Sequence, residues 1–496
     1  MASVLIIGAG GAGLSAAIEA KKQGFEVSVV TKEFPTRSQT SMAQGGINAA
    51  LDPNDSIQNH IEDTLKSAKG LADKAMVELM CQNAPDTIRW LDNLGVAFSR
   101  EKDGRIAQRK LGGASYSRAC YAQDYSGLKI LHTLYDQALS LGVAFYNEHF
   151  LLELLVDEGV CYGAAFYDLK AGERKELYAD NVVLAGGGYS KIYGEYSTNS
   201  KAATGEIIAA AAKVGCRLSH MEFVQFHPTA LKSSSILIGE AARGAGGKLI
   251  NSDGERFVDE LKPRDEVSLA IYEQIKAGKE VFLDISHLGE SFIDEELPQE
   301  RKLALLYEGI DLAKEKVPIK PAAHFTMGGI AVDEKFQTDI SRLFAVGECS
   351  ESRVHGANRL GGNALLEIVT FGRAVVSHLF QEEQTFSKQT ISHTLEQYIK
   401  QDATESFYPY KQKLHKMMYE KCGIKRNQED LKEVLAFLEE LEAKRFFATD
   451  PNLIYNTNLT ELLSFEAMLV VAKAVVVAAL ENTTSVGAHF REDTEK

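Results

Sequence analysis

The chain opens with an apolar run that leads directly into closely spaced glycines. Residues 4–7 are Val-Leu-Ile-Ile, and Gly8, Gly10 and Gly13 follow in G-x-G-x-x-G spacing before an alanine-rich segment. In such a strand–turn–helix unit the first glycine permits a tight turn, the second lets a phosphate approach, and the third lets the helix pack on the strand. The amides at the helix start are donors for a pyrophosphate. The segment therefore predicts a dinucleotide-binding α/β domain.

The second strand lacks the acidic residue that holds a ribose in a typical nicotinamide site. Thr31 and Lys32 stand at its end, and Glu33 comes two positions late. This departure weakens a simple NAD interpretation. The loop that follows carries several hydroxyl groups and the glycine pair Gly45 and Gly46, which can place backbone against a flavin ring.

Composition excludes several classes of partner. With 496 residues, 45% hydrophobic and 25% charged, the chain has the composition of a globular protein and the length of about three domains. Its net charge of -15 argues against nucleic acid or an anionic membrane face as partner. The six cysteines form no C-x-x-C pair, so no iron–sulfur cluster, zinc site or other metal centre is predicted.

Neither end of the chain predicts a targeting or membrane segment. The N-terminal apolar stretch is the first strand, and no basic region precedes it, so a signal peptide is not expected. The late apolar run at 465–480 is interrupted by Lys473 and is too short to span a bilayer, so it predicts a packed helix. We therefore expect a cytoplasmic protein with no direct membrane insertion.

Seven further motifs carry a family resemblance. They are QRKLGG at 108–113, EFVQFHPT at 222–229, GEAARG at 239–244, PRD at 263–265, HFTMGG at 324–329, AVGE at 345–348 and HGANRLGGN at 355–363. In this order, and with the loop at 34–47, they resemble the succinate dehydrogenase and fumarate reductase flavoprotein family, to which L-aspartate oxidase also belongs. The resemblance covers nearly the whole chain.

The resemblance implies an α/β fold with three parts. A Rossmann-like FAD-binding domain is expected in two pieces, 1–229 and 336–375. An α+β capping domain that carries substrate contacts is inserted between them at 230–335, and a C-terminal helical domain follows at 376–496. The apolar strand at 182–184 is similar to the point where a flavin domain returns to its sheet.

The resemblance also implies the FAD contacts. They are Gly8, Gly10, Gly11, Gly13, Lys32, Ser38, Gln39, Thr40, Gln44, Gly45, Gly46, Glu348, Asn363 and Leu365. In quinone-linked members a histidine of the Arg-Ser-His-Thr loop is covalently joined to the flavin, and here that position is Gln39. FAD is therefore expected to be noncovalent, and its reduced form a better donor, which favours fumarate reduction over succinate oxidation.

For the substrate, the resemblance implies cationic and hydrogen-bonding contacts. Arg359 offers the planar fork needed for a bidentate carboxylate contact, and His227 and His324 are further donors. Arg264 resembles the family's proton-donating arginine. A guanidinium ordinarily stays protonated, so it needs a relay that reloads it. Glu240 and Arg243, three positions apart and on one face if helical, resemble that relay.

Two departures bear on the choice of substrate. Aspartate oxidases that resemble this chain carry a glutamate just before the Gly-Gly of the 108–113 motif, where it can meet the substrate ammonium, and Leu111 stands there. An apolar side chain cannot offset the desolvation of an ammonium, so aspartate is disfavoured. Gly239 replaces the threonine usual before Glu240, which removes a hydroxyl donor to one carboxylate.

The leading interpretation is a fumarate reductase flavoprotein, either free or as the catalytic subunit of a complex whose iron–sulfur subunit delivers electrons. Such a complex would associate the chain with a membrane through partner subunits. The alternative is L-aspartate oxidase, which the noncovalent flavin, the compact length and the PAAH sequence at 321–324 support. A non-catalytic flavin-binding module is the third interpretation, and the presence of all the relay residues argues against it.

Overall fold

The computed structural model describes residues 1–384 and 394–494. Its α-helices are α1 (Gly11–Lys22), α2 (Ile57–Ser67), α3 (Lys74–Leu94), α4 (Ser126–Ser140), α5 (Glu206–Lys213), α6 (Glu240–Gly244), α7 (Arg264–Lys276), α8 (Glu290–Glu296), α9 (Pro298–Glu308), α10 (Asn363–Ala374), α11 (Tyr408–Lys421), α12 (Gln428–Glu442) and α13 (Thr457–Glu481).

The strands are interspersed with these helices along the chain. They are β1 (Ser3–Ile7), β2 (Glu26–Thr31), β3 (Ile47–Asn48), β4 (Gln108–Arg109), β5 (Ala119–Cys120), β6 (Ala144–Asn147), β7 (His149–Asp157), β8 (Val160–Asp168), β9 (Glu173–Tyr178), β10 (Asn181–Leu184), β11 (Leu218–Ser219), β12 (Val224–Leu231), β13 (Lys248–Asn251), β14 (Val281–Asp284), β15 (Val317–Thr326), β16 (Gly329–Ala331), β17 (Leu343–Ala345), β18 (Ser350–Glu351), β19 (Lys425–Arg426) and β20 (Phe490–Arg491).

A five-stranded parallel sheet forms the centre of the first unit. Its strand order is β17-β10-β1-β2-β6, so the chain moves outward from β1 through β2 to β6 and returns on the other side of β1 with β10. The order therefore reverses at β1, and a crevice opens at the carboxyl end of that strand, where parallel sheets bind their ligands. The predicted Rossmann-like architecture is confirmed.

The fingerprint glycines make the close contacts that their spacing predicts. Gly8 has φ of +118°, and a Cβ there would lie 2.2 Å from the carbonyl oxygen of Ala185. A Cβ at Gly13 would lie 2.0 Å from the carbonyl oxygen of Gly8. Any side chain at either position would push α1 or β10 away from β1, so both glycines are needed for the turn and for the packing of the helix.

A second unit is built on the antiparallel sheet β12-β15-β14-β13. Helices α6 to α9 lie in the same part of the chain, and the unit has an apolar core of its own, running from Leu231 to Ile319. It corresponds to the expected capping domain. The boundaries at 230 and 335 stay a prediction, and the sheet itself takes in β12, which begins at Val224.

The last part of the chain is helical, as the sequence predicts. Side-chain caps start two of its helices: Asn427 accepts the amide of Asp430 at 2.8 Å, and Asn456 accepts that of Leu459 at 2.8 Å. Helix α13 has the length and the hydropathy of a membrane span, with a mean hydropathy of 2.1, but 67% of its apolar window is buried inside the protein. It packs on α12 and α5 as a core helix.

Candidate functional site

A large cleft opens at the carboxyl end of β1 and extends to the second unit. Its empty volume is about 1660 Å³, including the part open to solvent. The walls come from the glycine turn, the loop at 31–46, the glycines at 186–188 and side chains of the second unit. One cleft thus has room for a dinucleotide and a small substrate together.

The predicted cofactor residues mostly line this cleft. Those that do are Gly8, Gly10, Gly11, Lys32, Ser38, Gln39, Thr40, Gln44, Gly45, Gly46, Glu348 and Leu365. Gly13 and Asn363 do not. The side chain of Asn363 bonds instead to Asn48 and Thr64, at 2.8 and 2.9 Å, so any contact with a cofactor would have to come from its backbone.

Several buried polar groups in the cleft are unpartnered, which fits a bound FAD. Gly10 caps α1, and the Gly11 amide donates to Thr40 Oγ1 at 3.0 Å. Ser38 Oγ and both amide atoms of Gln44 are buried with no hydrogen-bond partner among the described residues. Buried polar groups nearly always have hydrogen-bond partners, so these atoms are suited to a ligand that supplies donors and acceptors.

Gln39 and Lys32 are fixed by contacts within the protein. Gln39 Oε1 accepts the backbone amide of Ser200 at 2.8 Å. The Lys32 ammonium lies 3.0 Å from a carboxylate oxygen of Glu206 and 3.1 Å from the hydroxyl of Ser464 on α13. The helical part of the chain therefore supports the wall of the cleft through its contact with Lys32.

The three predicted catalytic residues form one buried group. Arg264 is the first residue of α7, and its guanidinium donates to Glu240 Oε2, from Nε at 2.9 Å. Glu240 Oε1 accepts the backbone amide of Gly112 at 2.6 Å and lies 3.9 Å from Arg243 Nη2. Glu240 and Arg243 share one face of α6, as predicted. Arg264 and Glu240 line the cleft, whereas Arg243 lies behind them.

The electrostatics keep the central carboxylate ionised. Burial alone would raise the pKa of Glu240, but Arg264 and then Arg243 outweigh it and lower that pKa below its ordinary value. Burial also lowers the pKa of Arg243. The group is therefore a carboxylate held between two guanidinium ions, which is the arrangement needed to pass a proton from one to the other.

The two predicted histidines lie together as neutral donors. The rings of His227 and His324 are 4.9 Å apart. Burial, with the nearby positive charge of Arg264, lowers the pKa of both well below the ordinary value. The Thr229 amide donates to His227 Nδ1 at 3.3 Å, which leaves the hydrogen on Nε2. His324 Nδ1 lies 2.8 Å from the hydroxyl of Thr198.

Arg359 is held flat against an aromatic ring. Its guanidinium carbon lies 4.3 Å from the centre of the Phe325 ring, and its buried Nε has no partner among the described residues. Burial and the charge of Arg264 lower the pKa of Arg359 to about 9. The group is still a cation at neutral pH, with donors free for a carboxylate. Burial raises the pKa of nearby Glu348 to about 7.

Leu111 is the predicted substrate residue that the structure places outside the cleft wall. It is only 2% exposed, and its Cδ1 lies 3.5 Å from the position a Cβ would take at Gly45. The leucine therefore packs behind the glycine pair of the flavin loop. Its influence on substrate choice stays a prediction, and it acts through that loop.

Gln225 is a site residue that the sequence analysis missed. Its Oε1 accepts Arg264 Nη1 at 3.1 Å, and its Nε2 donates to Asn358 Oδ1 at 2.8 Å and to the Arg359 carbonyl at 2.9 Å. It thus orients the guanidinium of Arg264 and holds the backbone of Arg359. The signal was available, because Gln225 lies two positions before His227 in a strand and therefore shares its face.

Comparisons with known proteins agree with this site. The FAD binding domain family matches residues 3–365, and the C-terminal family of fumarate reductase flavoproteins matches 411–496. A fumarate reductase flavoprotein subunit of Serratia sp. is 36% identical over 99% of this chain and 89% of the relative. A succinate dehydrogenase flavoprotein subunit of Rickettsia conorii is 36% identical over 99% of this chain and 90% of the relative.

A solved structure gives the same result. An E. coli quinol fumarate reductase superimposes with a TM-score of 0.94 at 34% identity, covering 99% of this chain and 91% of that chain. Fold, cleft and full-length similarity agree with the resemblance that the motifs predicted. The chain therefore belongs to the fumarate reductase and succinate dehydrogenase flavoprotein family of FAD-dependent oxidoreductases.

Proposed function

We propose that this protein reduces fumarate to succinate with electrons from FAD, acting on the CH–CH bond of a C4 dicarboxylate. The observation that carries the proposal is the single cleft in which Arg264, Arg359 and two neutral histidines face a glycine-lined dinucleotide site. The relatives compared above are fumarate reductases and succinate dehydrogenases, which does not favour the L-aspartate oxidase alternative.

Each protein group has a defined task in the reaction. Reduced FAD, when bound, supplies the hydride. Arg359 binds a substrate carboxylate through its free donors, and the Nε2–H of His227 and the imidazole of His324 supply further hydrogen bonds. Arg264 then delivers the proton to the second carbon of the double bond, so that a hydride and a proton together convert fumarate to succinate.

The relay explains how a guanidinium can act as an acid. Arginine rarely releases its proton in water. In the cleft, loss of the proton from Arg264 is coupled to transfer from Arg243 by way of the ionised Glu240. The positive charges of Arg264 and Arg359 also stabilise the negative charge that develops on carbon and on the adjacent carboxylate.

Side-by-side turnover tests the function and its alternative. We expect the purified holoprotein to reduce fumarate in an anaerobic assay with a reduced dye as donor, and to leave L-aspartate unoxidised. The cations Arg264 and Arg359 line the cleft, and they attract a dicarboxylate dianion more strongly than aspartate, whose ammonium they repel. Oxidation of L-aspartate at a rate above that of fumarate reduction would replace the proposal by the alternative.

We further propose that FAD is held without a covalent bond. Gln39 presents an amide where a histidine nitrogen would be needed, and that amide is engaged by Ser200. Acid precipitation is therefore expected to release essentially all the yellow colour into the supernatant as FAD. A flavin band that stays with the denatured chain on a gel would contradict the proposal.

We also propose partner subunits, a location in the cell and a division of the chain into domains. Because the Serratia and Rickettsia relatives are named as subunits, we propose that this chain works with an iron–sulfur subunit that delivers electrons. Association with a membrane then comes through partner subunits, and the chain itself stays on the cytoplasmic side. We also propose the domain boundaries at 229, 335 and 375, which divide the chain into flavin, capping and helical domains.

A further inference from the structure

Two buried side chains converge on the space where residue 239 has no side chain. A Cβ built on Gly239 would lie 2.5 Å from Gln44 Oε1 and 2.8 Å from Glu300 Oε1. Gly239 and Gln44 line the cleft, whereas Glu300 lies behind them on α9. The glycine therefore leaves an opening through which Glu300 approaches a residue of the site.

The groups that meet there are unsatisfied. Glu300 is 0% exposed and Gln44 is 2% exposed. Neither the carboxylate oxygens of Glu300 nor the amide atoms of Gln44 have a side-chain hydrogen-bond partner among the described residues. Buried acceptor oxygens cost free energy unless a hydrogen reaches them. A proton on Glu300 supplies it, after a small rotation of either side chain.

The surroundings favour that proton. Burial and then the carboxylate of Asp124 raise the pKa of Glu300 well above its ordinary value, and Arg109, the backbone amide of Gly239 and Arg243 only partly oppose them. Asp124 is turned toward the same helix, because it accepts the amides of Gln299 and Glu300 at 2.8 and 3.0 Å. Glu300 therefore keeps its proton to a higher pH than an ordinary glutamate does.

We propose that Glu300 is a positioning residue for the substrate: its acid hydrogen is donated to Gln44 Oε1 past Gly239, which turns the Gln44 NH₂ group into the cleft as a donor to a dicarboxylate. The inference rests on the proposed function. When Glu300 ionises, the amide turns round, because its NH₂ group is then drawn to the new carboxylate. The Gln44 oxygen faces the cleft instead and repels a substrate carboxylate.

The proposal fixes the sign of a pH dependence. Affinity for a dicarboxylate is high while Glu300 is protonated and falls as the pH rises through its raised pKa. Other groups at the cleft also titrate, since the pKa of Glu348 is about 7 and that of Arg359 about 9. Their contribution is the same in a Glu300 variant, whereas Asp124, whose pKa burial raises to about 6, is coupled to Glu300. The difference between wild type and variant therefore reports on Glu300 together with its effect on Asp124.

The test measures the KM for fumarate and, separately, succinate binding to the holoprotein by the change in FAD absorbance, from weakly acidic to weakly alkaline pH. One hydrogen bond to a charged group corresponds to about tenfold in affinity. The amide introduced by Glu300→Gln can donate at every pH, so we expect the KM for fumarate and the Kd for succinate to stay at the low values that wild type shows at low pH. The increase of about tenfold that wild type shows at higher pH is expected to be absent. The kcat of Glu300→Gln is expected to stay unchanged.

Two further variants and a control sharpen the result. Glu300→Leu removes the donor, and the Cβ added in Gly239→Ala separates Gln44 from Glu300. Both variants are therefore expected to bind fumarate and succinate about tenfold more weakly than wild type at low pH. Glu295→Gln, an exposed change on α8, is expected to keep the wild-type profile. A Glu300→Gln profile that retains the full wild-type pH dependence would overturn the inference. Absence of fumarate turnover in wild type would instead overturn the proposed function, while the succinate titration would still decide the role of Glu300.

Discussion

Replacing Arg264 by alanine is expected to reduce fumarate turnover by about 10³-fold or more, because the change removes a general acid, worth about 10²–10⁴, and a cation at the site of developing charge. FAD is expected to stay bound, since the contacts of Arg264 are Glu240 and Gln225 and not the glycine turn. Anaerobic assays with a reduced dye and the flavin absorbance of the purified variant measure the two outcomes.

The controls separate chemistry from charge. Arg264→Lys is not expected to rescue turnover, because an ammonium on a different stem loses the forked contact with Glu240 and misplaces the proton. Arg217→Ala removes an exposed arginine that pairs with Asp339 and is expected to leave turnover unchanged. Loss of flavin, or turnover above a few per cent of wild type, would show that Arg264 is not the proton donor.

Glu240→Gln is expected to lower kcat by about 10²-fold or more, with a much smaller effect on the KM for fumarate. The amide has nearly the same shape, but it cannot accept and release the proton that passes between Arg243 and Arg264. Glu240→Gln also removes a negative charge beside the cations, so the dianion fumarate is expected to bind as tightly as to wild type, or more tightly. Steady-state kinetics over a range of fumarate concentrations provide the measurement.

The pH profile adds a second check on this relay. Because the two arginines hold the pKa of Glu240 below its ordinary value, the carboxylate stays ionised as the pH falls, and the relay fails only below that lowered pKa. Wild-type kcat is therefore expected to show no loss near the ordinary pKa of a glutamate. A Glu240→Gln enzyme with near-normal kcat would mean that Arg264 is reloaded by another route.

Local sequence predicted the part of the fold and site that depends on local geometry. The apolar β1, the glycine turn and α1 follow from neighbouring residues, and so does the shared face of Glu240 and Arg243. The departures at Gln39 and Gly239 were also visible, because each replaces a single chemical group in a recognisable motif.

The remaining features depend on contacts between distant segments. Glu300 lies in a helix rich in charged and exposed residues, where a glutamate ordinarily faces solvent, and it is the packing of α9 against distant segments, Asp124 among them, that buries it. Leu111 was expected at the substrate because its neighbours are, yet its side chain turns behind Gly45. Sequence spacing gives no information on which way a loop residue points.

The contacts of Lys32 couple cofactor retention to the docking of the last long helix. Its ammonium contacts Glu206 and Ser464 at the edge of the dinucleotide site, so the same side chain belongs to the flavin wall and to the seat of α13. A ligand that binds only the assembled state stabilises it in proportion to the logarithm of its concentration. Flavin binding and docking of α13 are thus thermodynamically linked: flavin that binds the assembled cleft is expected to favour the docked helix, and loss of the helix is expected to weaken flavin binding.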